Sequence, residues 1–266
     1  MLQDVEAVRF IRELESGRNR PWLVEAETWD GEVVEVVAKL GSAECGRGGL
    51  VREAYSAMLA ADLDLPVSEP FVVKLSHDFI STLPGGLASK VAANDPAFGS
   101  RFIPNLFSLS PEKVLDTHLH FEASRAITFD AGVVNADRLV TKPNCLTDGR
   151  KILLIDHELA LNVQGRGLLM LDPWIPGALH HMTTAPGEHL FYRRLKRTRP
   201  DSPVQDLSSF CNSLAGISHA RISEYSQAIP PQWDVDSVST DIAAYLCDLV
   251  SNAQNLRNKI EALLSP

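Results

Sequence analysis

The hydrophobic positions in the first third of the chain form short runs that predict β-strands around one strong helix. Strand-like runs, rich in β-branched and aromatic residues, cover residues 22–28, 32–40 and 69–75. Apolar residues at helical spacing cover residues 5–14 and 50–63. Asp30-Gly31, between the first two runs, is typical of a hairpin turn, and the second helix ends before Pro66 because helices seldom continue into proline. This part of the chain is therefore predicted to be β-rich.

The rest of the chain is predicted to be mainly helical. Helical spacing covers residues 121–127, 204–214, 217–228 and 239–264. Ser110-Pro111-Glu112 resembles a helix start, with serine as the N-cap and proline in the first turn. Asp148-Gly149 predicts a second hairpin. A β-rich part followed by an α-rich part favours an α+β fold with two lobes, residues 1–102 and 103–266, that meet at a cleft.

Composition and charge exclude some functions without selecting one. The chain has 266 residues, more than the ~100–150 of a typical domain. A net charge of −9 argues against direct binding to a nucleic-acid backbone, which requires a basic excess. The 4 cysteines are scattered, which predicts neither a disulfide framework nor a zinc site. The first residues resemble no signal peptide and no run could span a membrane, so we expect a cytoplasmic protein.

The central segment carries the strongest indication of chemistry. Asp137, Asn144 and Asp156 lie in FDAGVVNADRLVTKPNCLTDGRKILLIDHELAL. A hairpin at Asp148-Gly149 would return the chain and leave Asn144 and Asp156 at the same open end. Carboxylate and amide oxygens are the ligands that Mg²⁺ prefers, and phosphoryl transfer requires such ions together with a carboxylate near the attacking hydroxyl. The alternative is a surface hairpin whose polar ends are merely solvated.

This segment resembles the catalytic stretch of the HipA-like kinase family, which has the form N-x-D-R, then N-P-N or a similar run, then I-D-H. The resemblance implies a protein-kinase-like fold, Asp137 as the catalytic base, and Asn144 and Asp156 as Mg²⁺ ligands. Protein kinases usually place the asparagine five residues after the aspartate. Here Lys142 occupies that position and Asn144 follows two residues later. His157 replaces the phenylalanine of the kinase Asp-Phe-Gly motif, and we expect it to pack and form hydrogen bonds rather than catalyse.

The first part of the chain supplies a second pair of kinase residues in the expected order. Lys39 ends a strand with the sequence Val-Ala-Lys, and Glu53 follows in the next predicted helix. In kinases a strand lysine grips the phosphates and pairs with a helix glutamate. A lone lysine at a strand end is more often surface charge. Its occurrence with Glu53 and the downstream residues favours a functional pair.

Nucleotide-binding positions beyond this pair are predicted less directly. The glycine-rich stretch after Lys39 includes Gly46 and Gly48, whose backbone N–H groups could bind phosphate near a helix start, or could belong to an ordinary loop. From the resemblance alone, residues 98–104 would link the lobes and contact adenine, with Phe98 and Arg101 as binding residues. The basic run at residues 193–199 is predicted to be a solvated face.

The sequence thus predicts an ATP- and Mg²⁺-dependent kinase whose acceptor, by the resemblance, is a serine or threonine of a protein substrate. Two alternatives stay open. One is a small-molecule or lipid phosphotransferase on the same fold, the lipid version being weakened by the acidic charge. The other is a catalytically silent nucleotide-binding or scaffolding protein.

Overall fold

Five strands in the first part of the chain close into a barrel. The structure is a computed structural model that describes residues 1–15, 19–164, 171–196 and 207–265. The barrel strands are β1 (Gln3–Glu13), β2 (Trp22–Thr28), β3 (Val33–Lys39), β4 (Pro70–Lys74) and β5 (Ala97–Arg101). Their order is β1-β2-β3-β5-β4, and a parallel pairing of β1 with β4 completes the circle. The strands predicted at residues 22–28, 32–40 and 69–75 are confirmed.

The barrel interior is tightly packed, and this packing decides which way Lys39 points. Val36 and Ala38 of β3 are fully buried in the barrel core. A Cβ atom on Gly99 of β5 would lie 2.6 Å from side-chain carbons of both Val36 and Val73, so only glycine fits there without a shift. Because side chains alternate along a strand, Lys39 after Ala38 faces outward. It faces α1 (Gly46–Asp62), the helix predicted over residues 50–63.

The helix predicted over residues 5–14 is wrong, because this segment is strand β1. Its register against β2 shifts between Ala7 and Arg9 and again between Phe10 and Arg12. Val8 and Ile11 are therefore extra residues at bulges, which insert one position into the two-residue alternation of a strand. As a result, the apolar residues Val5, Val8, Ile11 and Leu14 recur every three residues, which resembles the spacing of a helix.

A second small sheet holds the central segment. Its strands are β6 (Phe107–Ser108), β7 (Cys145–Thr147) and β8 (Ile152–Leu154), in that order. The hairpin predicted at Asp148-Gly149 joins β7 to β8, and Gly149 adopts a left-handed φ of 98°. The Ile155 N–H donates to the Asn144 carbonyl at 3.1 Å, which extends the pairing to the open end of the hairpin. Asn144 and Asp156 flank that end.

The remaining α-helices of the described chain are α2 (His77–Ser81), α3 (Thr117–Gly132), α4 (Tyr192–Lys196), α5 (Leu207–Ala215), α6 (His219–Ala228), α7 (Val238–Ser251) and α8 (Ala253–Leu264). Apart from α2, they share one large core with α1, whereas Phe79 of α2 packs in the barrel core. The Tyr245 hydroxyl of α7 donates to the Gly132 carbonyl at 2.6 Å and ties α7 to the end of α3. Among the described residues, none of the helices has the length and apolar character that crossing a membrane requires.

Two further helix predictions differ from the structure. Ser110-Pro111-Glu112 forms a turn in which the Ser110 hydroxyl accepts from the Glu112 N–H, and α3 begins seven residues after Ser110 with Asp116 as its N-cap. The helix predicted over residues 239–264 is interrupted at Asn252, which separates α7 from α8. The segment 204–206 of another predicted helix lies outside the described residues, as does the part of the basic run beyond residue 196.

Candidate active site

Lys39 lies at the centre of a cluster of carboxylates that comes from three parts of the chain. Its Nζ is 2.9 Å from Glu53 Oε2, 2.6 Å from Asp156 Oδ1 and 3.2 Å from Glu158 Oε2. The Lys39 side chain is only 13% exposed. Burial by itself lowers the pKa of Lys39, but attraction by the three carboxylates outweighs it and the net pKa lies above the ordinary value. Lys39 is therefore a permanent buried cation.

Asp156 connects this cluster to the central hairpin. It follows β8 with a left-handed φ of 62°, a conformation that non-glycine residues seldom adopt. Burial raises the pKa of its carboxyl, but Lys39 and then Lys142 outweigh burial and lower that pKa to about 2. Asp156 is therefore ionised at neutral pH.

Asp137 and Asn144 lie on the other side of Asp156, joined to it by a lysine. The Asn144 amide nitrogen donates to Asp137 Oδ2 at 2.9 Å and to the Asp137 carbonyl at 3.1 Å. Lys142 Nζ is 2.5 Å from Asp137 Oδ2 and 3.3 Å from Asp156 Oδ2. Contacts thus run from Asn144 through Asp137, Lys142, Asp156 and Lys39 to Glu53. We call the side chains of Lys39, Glu53, Asp137, Lys142, Asp156 and Glu158 the lysine cluster.

The predicted glycines lie next to this cluster. Gly46 starts α1 with a φ of 61°, and Gly48 is in the first turn. The N–H of Cys45, just before them, donates to Asn19 Oδ1 at 3.2 Å, and the Asn19 amide nitrogen donates to both oxygens of Glu158 at 2.6 and 2.5 Å. Asn19 therefore links the start of α1 to the lysine cluster. Phosphate binding by the glycines stays a prediction.

Phe98 and Arg101 differ in their relation to the cluster. Phe98 pairs in register with Lys39 across β3 and β5, is buried, and meets Trp233 edge to face at a centroid distance of 6.4 Å. The guanidinium of Arg101 contacts Glu69 at 2.8 Å and Glu32 at 3.4 Å and lies over the ring of Phe71. None of these three partners belongs to the lysine cluster. The structure thus places Phe98 beside Lys39 and pairs Arg101 elsewhere.

A second charged group lies next to the Asn144 and Asp156 ends of the β7–β8 hairpin, and we call it the buried network. It consists of Asp130, Asn135, Arg138, His157 and His189, all buried. Arg138 Nε donates to Asp130 Oδ2 at 2.6 Å, while Nη1 donates to the carbonyls of Asn144 and Ile155, the latter at 3.2 Å. The Arg138 guanidinium thereby holds the backbone at Asn144 and at the residue before Asp156. Asn144 and Asp156 both have a left-handed backbone conformation.

Both histidines of the network are neutral. Arg138 donates from Nη2 to His157 Nε2 at 2.9 Å, so that nitrogen is the acceptor. His189 Nδ1 accepts from the Phe191 N–H at 3.2 Å, which leaves Nε2 to donate to Asp130 at 3.0 Å. Burial, reinforced by the Arg138 charge, lowers the pKa of His157 to about 3, and burial lowers that of His189. The expectation that His157 packs and forms hydrogen bonds agrees with these contacts.

Sequence reasoning missed three residues of the site. Asn19 lies between β1 and β2, a connection that went unnoticed because β1 was interpreted as a helix. Glu158 directly follows the IDH motif, and its contact with Lys39 has no signature in the spacing. Asp130 was not singled out, although Arg138 in the NADR motif requires a buried counter-charge once it is buried.

The carboxylates are suited to a divalent cation. Glu53, Asp156 and Glu158 each place an oxygen within 4.8 Å of the other two, and all three are at least half-buried. Oxygen donors of this kind match the preference of Mg²⁺. The Asn144 amide nitrogen is engaged by Asp137, so its side chain is oriented at the edge of the same group. Because Lys39 holds Glu53, the residues that fit a magnesium site are Asp156 and Asn144, with Glu158 nearby.

Comparison with known proteins agrees with this geometry. The structure is similar to the crystal structure of the Helicobacter pylori proinflammatory kinase CtkA, with a TM-score of 0.57 and 10% sequence identity over 98% of this chain and 99% of that chain. At this identity the likeness shows a common fold, which is that of a kinase. The sequence profile of the HipA-like kinase family matches residues 7–175, and the chain therefore belongs to this family. A search among curated proteins gave no match.

Proposed function

We propose that this protein is an ATP-dependent kinase that transfers the γ-phosphoryl group to a serine or threonine hydroxyl of a protein. The observation that carries the proposal is the position of Lys39 between Glu53 and Asp156, with Asp137 one lysine away from Asp156. A charged lysine anchored by a helix glutamate, beside a catalytic aspartate, is the arrangement that kinases use.

Each residue has a separate task in this mechanism. Lys39 binds the phosphates, and Glu53 keeps its ammonium in place. Asp137 orients the acceptor hydroxyl and accepts its proton as the oxygen attacks phosphorus. Asn144 positions Asp137 through two hydrogen bonds to it.

Asp156 and Asn144 would hold Mg²⁺, with Glu158 close enough to assist. An ion held there would supply positive charge beside the phosphate oxygens. The ionised state of Asp156 at neutral pH suits this role, since a protonated carboxyl is a poor ligand.

The nucleotide would lie between two lobes, the barrel with α1 (residues 1–102) and the second sheet with the later helices (residues 103–266). The ion pair between Lys39 of β3 and Asp156 after β8 supports this division, because it joins one part to the other across the proposed phosphate position. Residues 98–104 would then form the link on which adenine binds.

Two measurements test the proposal. ATP with Mg²⁺ should raise the melting temperature, because a ligand that binds only the folded state stabilises it. Incubation of the protein with γ-labelled ATP and a cell lysate should label protein bands that release phosphoserine or phosphothreonine on acid hydrolysis. A lysate incubated with the Asp137→Asn variant is the control for other kinases.

Other outcomes would revise the proposal in defined ways. Label in small molecules or in the lipid extract would replace the protein acceptor by a different one. A thermal shift without any labelled product would indicate a nucleotide-binding protein that does not catalyse. If the protein showed neither a thermal shift nor a labelled product, the proposed ATP site would be wrong.

A further inference from the structure

Lys142 occupies a position in the lysine cluster at which the kinase pattern has a different residue. It lies five residues after Asp137, where kinases place an asparagine that binds the second of two Mg²⁺ ions. An ammonium cannot bind a metal ion and repels one. The substitution therefore removes a ligand and adds a positive charge at the same place.

The contacts of Lys142 show where this charge lies. Its Nζ is 2.5 Å from Asp137 Oδ2 and 3.3 Å from Asp156 Oδ2. It thus bridges the proposed base and the proposed metal ligand, the two carboxylates between which a transferring phosphoryl group must pass. A cation between such carboxylates is what a second Mg²⁺ would supply.

Lys142 also differs from Lys39 in its freedom to move. Its side chain is 47% exposed, whereas that of Lys39 is 13% exposed and contacts three carboxylates. An exposed lysine can leave Asp137 and Asp156 when a nucleotide enters and follow the negative charge of the phosphates. Lys39 is held in one position by its three partners.

We propose that Lys142 is a catalytic residue whose ammonium takes the place of one of the two divalent cations, so that this kinase binds a single metal ion with its nucleotide. This inference rests on the proposed function. In the transfer step the acceptor oxygen bonds to the γ-phosphorus and the bond from that phosphorus to the β–γ bridging oxygen breaks. ADP leaves with the electron pair, and the hydroxyl proton passes to Asp137. Lys142 forms no bond and supplies only positive charge beside the phosphoryl oxygens.

The test counts metal ions directly. Mn²⁺ is titrated into the protein in the presence of the β,γ-imido analogue of ATP, and bound Mn²⁺ is measured by electron paramagnetic resonance. The native chain should bind about one ion, and the Lys142→Asn variant, with the kinase asparagine restored, about two. Lys90→Met is the matched control, because Lys90 is a lysine of similar exposure paired with one carboxylate, Glu13, at 2.6 Å. It should bind the same number as the native chain.

The kinetic arm tests the charge. Loss of the charge in Lys142→Met should lower kcat by about 10²-fold, as when one electrostatic donor is removed from an active site, with a much smaller change in KM for ATP. Lys142→Arg, which keeps the charge, should recover most of this loss. Melting temperatures of all variants show whether each one is folded.

The outcomes separate this inference from the proposed function. Two ions on the native chain, or equal counts on the native chain and Lys142→Asn, would overturn the inference and leave the kinase assignment standing. If Lys142→Met had the same kcat as the native chain, the inference would likewise be overturned and the kinase assignment would stand. If the native chain bound neither nucleotide nor metal, the proposed function would fail, and the inference with it.

Discussion

The buried network and the lysine cluster both include residues of the central segment, yet their charges are arranged in opposite ways. In the buried network one aspartate faces one arginine, and the side chains of Asp130 and Arg138 are both 0% exposed. In the lysine cluster four carboxylates face two lysines, and the side chains of Asp156 and Lys142 are 22% and 47% exposed. The charges of the buried network pair with one another inside the protein, whereas the lysine cluster has two more carboxylates than lysines and is partly exposed.

The difference indicates that the buried network supports the backbone, whereas the lysine cluster is suited to binding a ligand. A buried ion pair contributes only when its geometry is complete, and the five side chains of the network achieve this through mutual and backbone hydrogen bonds. The network holds the left-handed residues Asn144 and Asp156. The cluster above it is then free to exchange internal ion pairs for contacts with a ligand. Substitutions in the two groups should therefore have different consequences.

The largest effect is expected for Asp156 in the lysine cluster. Asp156→Ala should abolish the thermal shift by ATP and Mg²⁺ and lower transfer by about 10⁴-fold, since charge neutralisation on the phosphates contributes several kcal/mol. Stability without nucleotide should fall only moderately, because the ion pairs of Asp156 with Lys39 and Lys142 are lost but Lys39 keeps Glu53 and Glu158. Calorimetry with and without ATP and Mg²⁺ measures the thermal shift and the stability, and transfer from labelled ATP measures the rate. A large loss of stability would show that the cluster is structural.

The next largest effect is expected for Asp137→Ala, which should reduce phosphoryl transfer without reducing nucleotide binding. The thermal shift by ATP and Mg²⁺ is expected to stay, while transfer falls by about 10³-fold, the contribution of a positioned base. Single-turnover transfer from labelled ATP measures the rate. Unchanged transfer would remove Asp137 from its role and leave Lys39 and Asp156 as a binding site only.

In the buried network the expected effect is on stability. Arg138→Met leaves Asp130 buried without its main counter-charge and should reduce the free energy of unfolding by about 3–5 kcal/mol. Urea denaturation at pH 7.5 measures it. The double variant Asp130→Leu with Arg138→Met should lose less than the sum of the single losses, because neither charge is then left alone. Lys74→Met, which breaks an exposed pair with Asp4, is the control and should change little. If the losses of stability from the Asp130 and Arg138 substitutions were additive, the two side chains would not be coupled.

The smallest effect concerns pH. His157 has a folded pKa of about 3, below its unfolded value, so in acid the unfolded chain binds a proton that the folded chain does not. Stability is then lost as pH falls below about 6.5, by about 2 kcal/mol from this histidine at pH 5. Asp156, with its lowered pKa of about 2, keeps its contribution at pH 5 and loses it only in stronger acid.

The variant His157→Gln keeps an acceptor for Arg138 but does not titrate. Between pH 7.5 and pH 5 this variant should lose about 2 kcal/mol less stability than the native chain. Urea denaturation at both pH values measures the difference. His219→Gln, at an exposed position on α6, should follow the native chain. An equally steep loss in His157→Gln would place the titrating group elsewhere.

Much of the site was predictable because its signals are local. Lys39 after Val37-Ala38, the hairpin between Asn144 and Asp156, and the NADR and IDH motifs each depend on a few neighbouring residues. Spacing at bulges was misleading, since two inserted residues gave β1 the period of a helix. That error hid the β1–β2 connection and with it Asn19.

The sequence by itself determined the family, the β-rich first part, the helical later part and the order of Lys39, Glu53, Asp137, Asn144 and Asp156. Only the tertiary structure decided which partners those residues have. Glu158 and Asn19 join Lys39 from distant positions, and Lys142 lies between Asp137 and Asp156. The reason is physical: periodicity and motifs record interactions between near neighbours, whereas contacts between distant residues follow from how the barrel, α1 and the hairpin pack together.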